Sequence, residues 1–449
     1  MKKIFLSNAV KMAFFFMIIG VENAYAVPSF TRQTGLDCTA CHTVFPELTR
    51  TGRDFKLRGY TMGGGETKMP LPLAAMIMAD VTGISKAKNA DGTSAVANGN
   101  GNDRNGDLTV PQISVFYGGK IYGNIGALIQ VTYDGTLLPQ DKAVAPYVAM
   151  DNADIRYADS VMLSGKELIY GVSVNNSPTA QDLWNSSPVW GFPYAASSVA
   201  PAPAAAALID GGLGQMAAGA SAYVMYNNLI YAEAGVYQTI PTGGVQGAFG
   251  WNNGGSDPVV YKDAPYGRIA LQYDFGNHYI MVGGYAMTTR VRQDGTDKLD
   301  SYHDWAVDAE YQYDLDKHNL TATATRIWEK AILDASHDPA VALADNASDS
   351  LTTTKIKASY HYDHKYGASL GYASTFGNAD AARYETTGAL PPDSSYGIAE
   401  VDYLPVQNVK FTLQYIAYDK FNGARTNYDG AGRNASDNNT LYLVGWFMF

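Results

Sequence analysis

The residues of this 449-residue chain best placed to do chemistry are Cys38, Cys41 and His42, within the run DCTACHTVFPELT from Asp37 to Thr49. The chain has no other cysteine. A C-x-x-C-H run is the attachment signature of a c-type haem. Its spacing puts two thiols on one face of a helical turn, where each can form a thioether to a vinyl group, and the histidine follows where its ring can ligate the iron. A disulfide would not need the histidine, and a structural zinc site needs about four ligands. The remaining six histidines begin only at His278. The expectation is one covalently bound haem c on Cys38 and Cys41, with His42 as the proximal iron ligand.

For the distal position, Met62 and Met69 lie between this motif and the first expected strand, and a thioether opposite histidine raises the reduction potential. The plainer roles are a loop residue for Met62 and an interfacial one for Met69. No nucleophile motif, metal-hydrolase spacing or phosphate-binding loop occurs elsewhere.

The elements that must position this site begin with an export signal. Met1-Lys2-Lys3 is basic, Ala13 to Val21 is a short apolar core, and Ala24-Tyr25-Ala26 is a small-residue cleavage pattern, so residues 1–26 read as a signal peptide. The apolar run is too short for a comfortable membrane anchor. Export also places the cysteines where haem can be attached outside the cytoplasm. Residues 27–70 then form a monohaem cytochrome segment, and residues 71–449 form the remainder.

That remainder has the composition of a membrane β-barrel. The chain holds 45 Gly, 32 Tyr and 16 Phe, and is 46% hydrophobic with only 17% charged residues, yet its mean hydropathy is -0.16. Such a chain is moderately apolar throughout, as strands with one lipid-facing and one polar face require. The net charge of -11 argues against nucleic acid as a partner.

Beyond residue 70 the period is two. In DWAVDAEYQYD, Trp305, Val307, Ala309, Tyr311 and Tyr313 share one face, and Asp304, Asp308, Glu310, Gln312 and Asp314 the other. A soluble sandwich would alternate similarly, so loop lengths must decide. Strands are expected at 73–83, 108–119, 124–134, 151–160, 166–175, 214–226, 228–239 and 264–275. Eight more follow at 277–289, 302–313, 318–331, 351–363, 366–376, 396–405, 408–419 and 439–449. Long connections, read as outer loops and including 176–213, alternate strictly with short ones. That is the rule of outer-membrane barrels. The expected fold is therefore all-β, a 16-stranded antiparallel outer-membrane barrel surrounded by lipid, ending on LYLVGWFMF. The wall would stand about 28 Å tall. Residues 27–70 are too few to be stable alone, so the haem segment is expected in the lumen or just below it, on the periplasmic or luminal side.

The stretch VPSFTRQTGLDCTACHTVFPELTRTGRDFKLRGY, Val27 to Tyr60, resembles the fused monohaem cytochrome-porin iron oxidases of iron-oxidising bacteria. The resemblance extends in architecture to the mature chain. It implies an Fe(II):cytochrome c oxidoreductase, with extracellular Fe(II) as donor and a periplasmic cytochrome c as acceptor. It also implies that Pro28, Phe30, Arg32, Gln33, Thr34, Gly35, Phe45, Pro46, Glu47, Leu48, Gly52, Arg53, Phe55 and Tyr60 build the haem pocket. Two other functions fit the same elements: a diffusion porin with a haem plug or sensor, and an outward electron conduit. Asp334, Asp338, Asp345 and Asp349 in one outer loop, with Asp429 and Asp437 in another, would either concentrate a divalent cation or serve as ordinary loop residues.

Overall fold

The computed structural model describes residues 28–63, 71–96, 104–135, 148–239, 259–260 and 263–449. The expected signal peptide and Met69 lie outside the described residues. Three short helices come first: α1 (Pro28–Thr34), α2 (Cys38–Cys41) and α3 (Arg50–Leu57). The strands are β1 (Leu73–Ile84), β2 (Leu108–Tyr122), β3 (Ile125–Asp134), β4 (Val148–Leu163), β5 (Lys166–Asn175), β6 (Ala218–Tyr226), β7 (Ile230–Gln238), β8 (Val259–Val260) and β9 (Ala264–Phe275). They continue with β10 (His278–Arg292), β11 (Leu299–Leu315), β12 (His318–Ile332), β13 (Ser348–Tyr362), β14 (Tyr366–Gly377), β15 (Ser394–Val406), β16 (Val409–Lys420) and β17 (Thr440–Met448).

All neighbours are antiparallel, and the sheet closes because β1 pairs with β2 on one edge and β17 on the other, with Met76 opposite Met448. The two residues of β8 pair with Val291 and Arg292, past the end of β9, and so continue the β9 position on β10. The result is a closed barrel of sixteen staves. Where strands exceed their expected bounds, as in β4 and β11, the ladder runs on into the long connections or into a short turn.

At one end of the barrel the connections are tight. Ser164 and Gly165 both have positive φ, 52° and 74°, and join Leu163 to Lys166 in the two-residue turn that strand twist favours. Aromatic side chains band this short-turn end, with Tyr273, Phe275 and His278 stacked along it and Tyr366 stacked on Tyr403.

Burial runs opposite to that of a soluble sandwich. Trp305 and Val307 are half exposed on the outer face, while Asp304, Asp308 and Glu310 beside them are at most 3% exposed on the inner face. Only lipid outside and polar partners inside make this arrangement stable. No helix among the described residues is long and apolar enough to cross a membrane.

Chain enters the lumen from two directions. Residues 28–63 occupy its short-turn half. The connection 176–213, expected as an outer loop, instead folds inward: Ala180, Gln181, Asp182, Leu183 and Trp184 are all at most 3% exposed. Polar wall residues draw it in. Arg268 on β9 holds Asp182 at 3.5 Å, Ser186 donates to Asp308 at 2.5 Å, and Trp184 Nε1 donates to Tyr279 Oη at 2.6 Å. An unpaired charged wall would be costly in a closed lumen, and the connection supplies partners to part of it.

Candidate functional site

The C-x-x-C run forms the single turn α2, so Cys38 and Cys41 stand side by side, half-buried and unbridged. The chain then turns back. Thr49 N–H donates to Cys41 O at 2.9 Å, and Thr49 Oγ1 donates to Ala40 O at 2.6 Å while accepting from Gly52 N at 3.3 Å. Thr49 thus caps α3 and fastens it to α2. Helix α3 rests so close that a Cβ on Gly52 would lie 2.2 Å from Cys41 O.

His42 follows α2 with its Nδ1 at 3.2 Å from Glu47 O. A carbonyl only accepts, so Nδ1 carries the proton and Nε2 keeps its lone pair. Shielding from bulk water lowers the ring's pKa to about 4, which keeps it neutral at physiological pH. A neutral imidazole oriented by a carbonyl is the usual state of a metal-ligating histidine.

Cys38, Cys41 and His42 border a cavity between the helices and the wall formed by β2, β3 and β17. Its sides are mainly apolar: Phe30, Phe45, Leu48, Phe55, Phe116, Leu128 and Met448. Phe30 meets Phe55 edge-on at 4.9 Å and stacks on Tyr60 at 5.9 Å. Two adjacent thiols, a neutral histidine nitrogen, a glycine that lets two helices meet, and an apolar chamber are what a covalently attached haem requires, and these residues fit it.

The residues expected to build the pocket divide into two groups. Phe30, Thr34, Phe45, Pro46, Leu48, Gly52, Phe55 and Tyr60 line the cavity. Arg32, Gln33, Glu47 and Arg53 instead lock the segment to the barrel. Arg32 donates to Leu71 O and Leu73 O, and Gln33 donates to Tyr60 O at 2.7 Å while accepting from Lys120 N at 2.8 Å. Arg53 donates to Gln312 Oε1 at 2.7 Å and lies 3.8 Å from the Tyr279 ring centre. Glu47 pairs with Lys357 of β13, and both are buried. Gly35 ends α1 with φ of 71°.

Of the two expected distal ligands, Met62 is half-buried, its carbonyl accepting from Gln33 at 3.0 Å, and it does not line the cavity. Met69 lies outside the described residues. The methionine on the cavity wall is Met448, next to the chain's last residue. Sequence reasoning missed it, along with Phe116, Leu128, Gln130, Lys56, Asn185 and Trp190. Alternation alone places Phe116, Gln130 and Met448 on inner faces, but nothing local reports which inner residues meet the helices.

Lys56 stands at the border of both fillings. Its amine donates to Ala180 O at 2.9 Å and Asp182 O at 2.6 Å, 4.5 Å from the Trp190 ring centre. Burial, reinforced by the charge of Arg156, lowers its pKa to about 7.

The outer-loop aspartates are largely committed to loop structure. Asp338 pairs with Lys298 at 2.8 Å, Asp349 with Arg383 at 3.3 Å, and Asp437 with Lys86 at 3.4 Å. Asp345 accepts from the N–H groups of Ala381 and Ala382, and Asp429 from those of Ala431 and Arg433.

No protein family and no curated protein matches the chain. Solved structures do resemble it. OmpT, an outer-membrane protein of Vibrio cholerae, is 10% identical over 84% of this chain and 96% of its own, with a TM-score of 0.43. The outer-membrane channel DcaP of Acinetobacter baumannii is 12% identical over 84% and 96%, with a TM-score of 0.45. An anion-selective porin from Comamonas acidovorans is 12% identical over 84% and 98%, with a TM-score of 0.44. The chain's own closed sheet, even stave count and turn pattern make it a porin-like outer-membrane barrel.

Proposed function

We propose that the chain moves single electrons across the outer membrane, from extracellular Fe(II) to a periplasmic cytochrome c, by way of one haem c held by Cys38, Cys41 and His42. The observation that carries this reading is that the Cys-Cys-His cavity lies inside a barrel whose inner wall is largely covered by residues 28–63 and 176–213. Arg156, Arg268 and Gln414 on the inner wall are at most 2% exposed, although a diffusion pathway would leave such side chains wet.

When bound, the haem supplies a reversible one-electron couple. One Fe(II) becomes Fe(III) outside, and one ferricytochrome becomes ferrocytochrome inside, so the electrons balance. The chain's own residues supply the setting. His42 presents a neutral nitrogen, the phenylalanines and Leu48 exclude water, and Arg32, Gln33, Glu47 and Arg53 prevent the segment from sliding. In this reading the short-turn end, nearest the cysteines, faces the periplasm.

The test places haem-loaded protein in liposomes with Fe(II) outside and oxidised cytochrome c inside. Haem reduction followed by cytochrome reduction, without iron in the interior, is expected; a haem that external Fe(II) leaves oxidised overturns the reading. Conductance across planar bilayers separates it from the diffusion porin, which would pass current. A redox titration separates it from an outward conduit, which needs a potential low enough to reduce an external acceptor.

A further inference from the structure

The cavity beside Cys38 and His42 is not isolated. A second one shares Pro46, Gln130 and Trp190 with it. From that shared wall it follows the inner face of β2–β4 toward the long-loop end. Gln130, Thr132 and Asp134 alternate along β3, opposite Phe116, Ser114 and Gln112 of β2. Gln130 to Asp134 spans about 13 Å of strand. At the far end Gln215 is exposed, and its Nε2 donates to Asp151 Oδ1 at 2.6 Å.

The lining is asymmetric in charge. Among the described residues its carboxylates are Asp151 and Asp134, the latter already engaged with a partner, and none of its described lining residues is a lysine or arginine. The partners of Asp151 are the neutral Gln112, Thr132 and Gln215, and among the described residues no cation pairs with it. This sets it apart from Asp182, Asp308 and Glu47, whose charges are matched by arginine or lysine across the lumen.

We propose that this second cavity is the vestibule through which the electron donor reaches the haem pocket, and that it admits a hydrated divalent cation. The inference rests on the electron-transfer reading above and specifies its outer half. The cation stops at Trp190, Pro46 and Gln130, gives up one electron across that wall and leaves as a trivalent ion. The Asp151 carboxylate, with no cation paired to it among the described residues, repels anions. A folded protein is too large to enter.

The test uses purified haem-loaded protein and hexaammineruthenium(II), a divalent ion that donates one electron without changing its ligands. Thr132→Cys should react with a bulky, water-soluble thiol reagent, whereas Ser173→Cys, at a fully buried wall position bonded to Asp154, should not. The Thr132→Cys adduct should slow reduction by the ruthenium complex while leaving the haem spectrum and potential unchanged. Asp151→Asn, which keeps the side chain's shape, should slow it about tenfold at low ionic strength and much less in high salt. With the anionic EDTA chelate of Fe(II), the same variant should be reduced faster than the wild type. An unreactive Thr132→Cys, or an adduct reduced at the unmodified rate, overturns the vestibule. An Asp151→Asn rate equal to wild type with both donors overturns its selectivity for cations. If the ruthenium complex reduces the haem through this route and Fe(II) does not, the vestibule stands and the iron reading fails.

Discussion

Gly52 lies against the backbone of Cys41 so closely that a single added methyl group would meet the Cys41 carbonyl oxygen at 2.2 Å. That contact sets how far α3 stands from the two thiols, and therefore the shape of the cavity. Gly52→Ala should push α3 away and reduce covalent haem per barrel, while the barrel still shows heat-modifiable migration on gels. Full haem content in this variant would show that the helix pair can relax.

Cys38→Ala and Cys41→Ala test attachment directly. Each removes one thioether, and the double variant should lose all covalent haem stain while the sixteen staves, which neither residue touches through the ladder, stay closed. Stain surviving in the double variant would refute the assignment.

Met448 is the methionine on the cavity wall, and a thioether on the iron raises its potential. Met448→Ala should therefore alter the reduced spectrum and lower the midpoint of a redox titration, with Met62→Ala unchanged. A silent Met448→Ala beside an altered Met62→Ala would reverse that order.

The buried pair of Glu47 and Lys357 joins the segment to β13. Lys357→Met leaves the Glu47 carboxylate buried with hydroxyls of Thr43, Tyr194 and Ser359 as its remaining partners. Removing one partner of a buried pair costs about 3–5 kcal/mol. The urea midpoint for loss of the native haem spectrum should fall accordingly, and adding Glu47→Gln to the same chain should recover part of the loss.

Lys56 gives a pH dependence of defined sign. Its folded pKa of about 7 lies below the ordinary value of 10.5, so between these the unfolded chain binds the extra proton. Stability from this group rises as pH increases from 7 to 10.5 and is lost on the way back down, with no further change below 7. Urea midpoints at pH 7 and pH 10 should differ more in the wild type than in Lys56→Met. Equal differences would mean that the amine stays charged.

The sequence by itself determined the local features. The C-x-x-C-H run defines the candidate attachment site, because α2 and the residue after it are one turn of chain. Period-two alternation and the long-short rule located the sixteen staves, since a strand's face depends only on parity and a turn only on a few residues. Within the Val27 to Tyr60 motif, however, sequence did not separate Phe30 and Phe55, which line the cavity, from Glu47 and Arg53, which bind the wall. That division depends on which inner residues of β11 and β13 stand opposite, residues more than 250 positions away. The inward course of 176–213 was also invisible, because a polar connection reads alike whether it meets water or a charged lumen. What drew it in was closure of the sheet. Closure turned Arg268, Asp308 and their neighbours into a buried surface that only another polar segment could satisfy. The same closure brought Met448 to the cavity that the cysteines border, and left Asp151 facing a second cavity with no cation to pair with among the described residues.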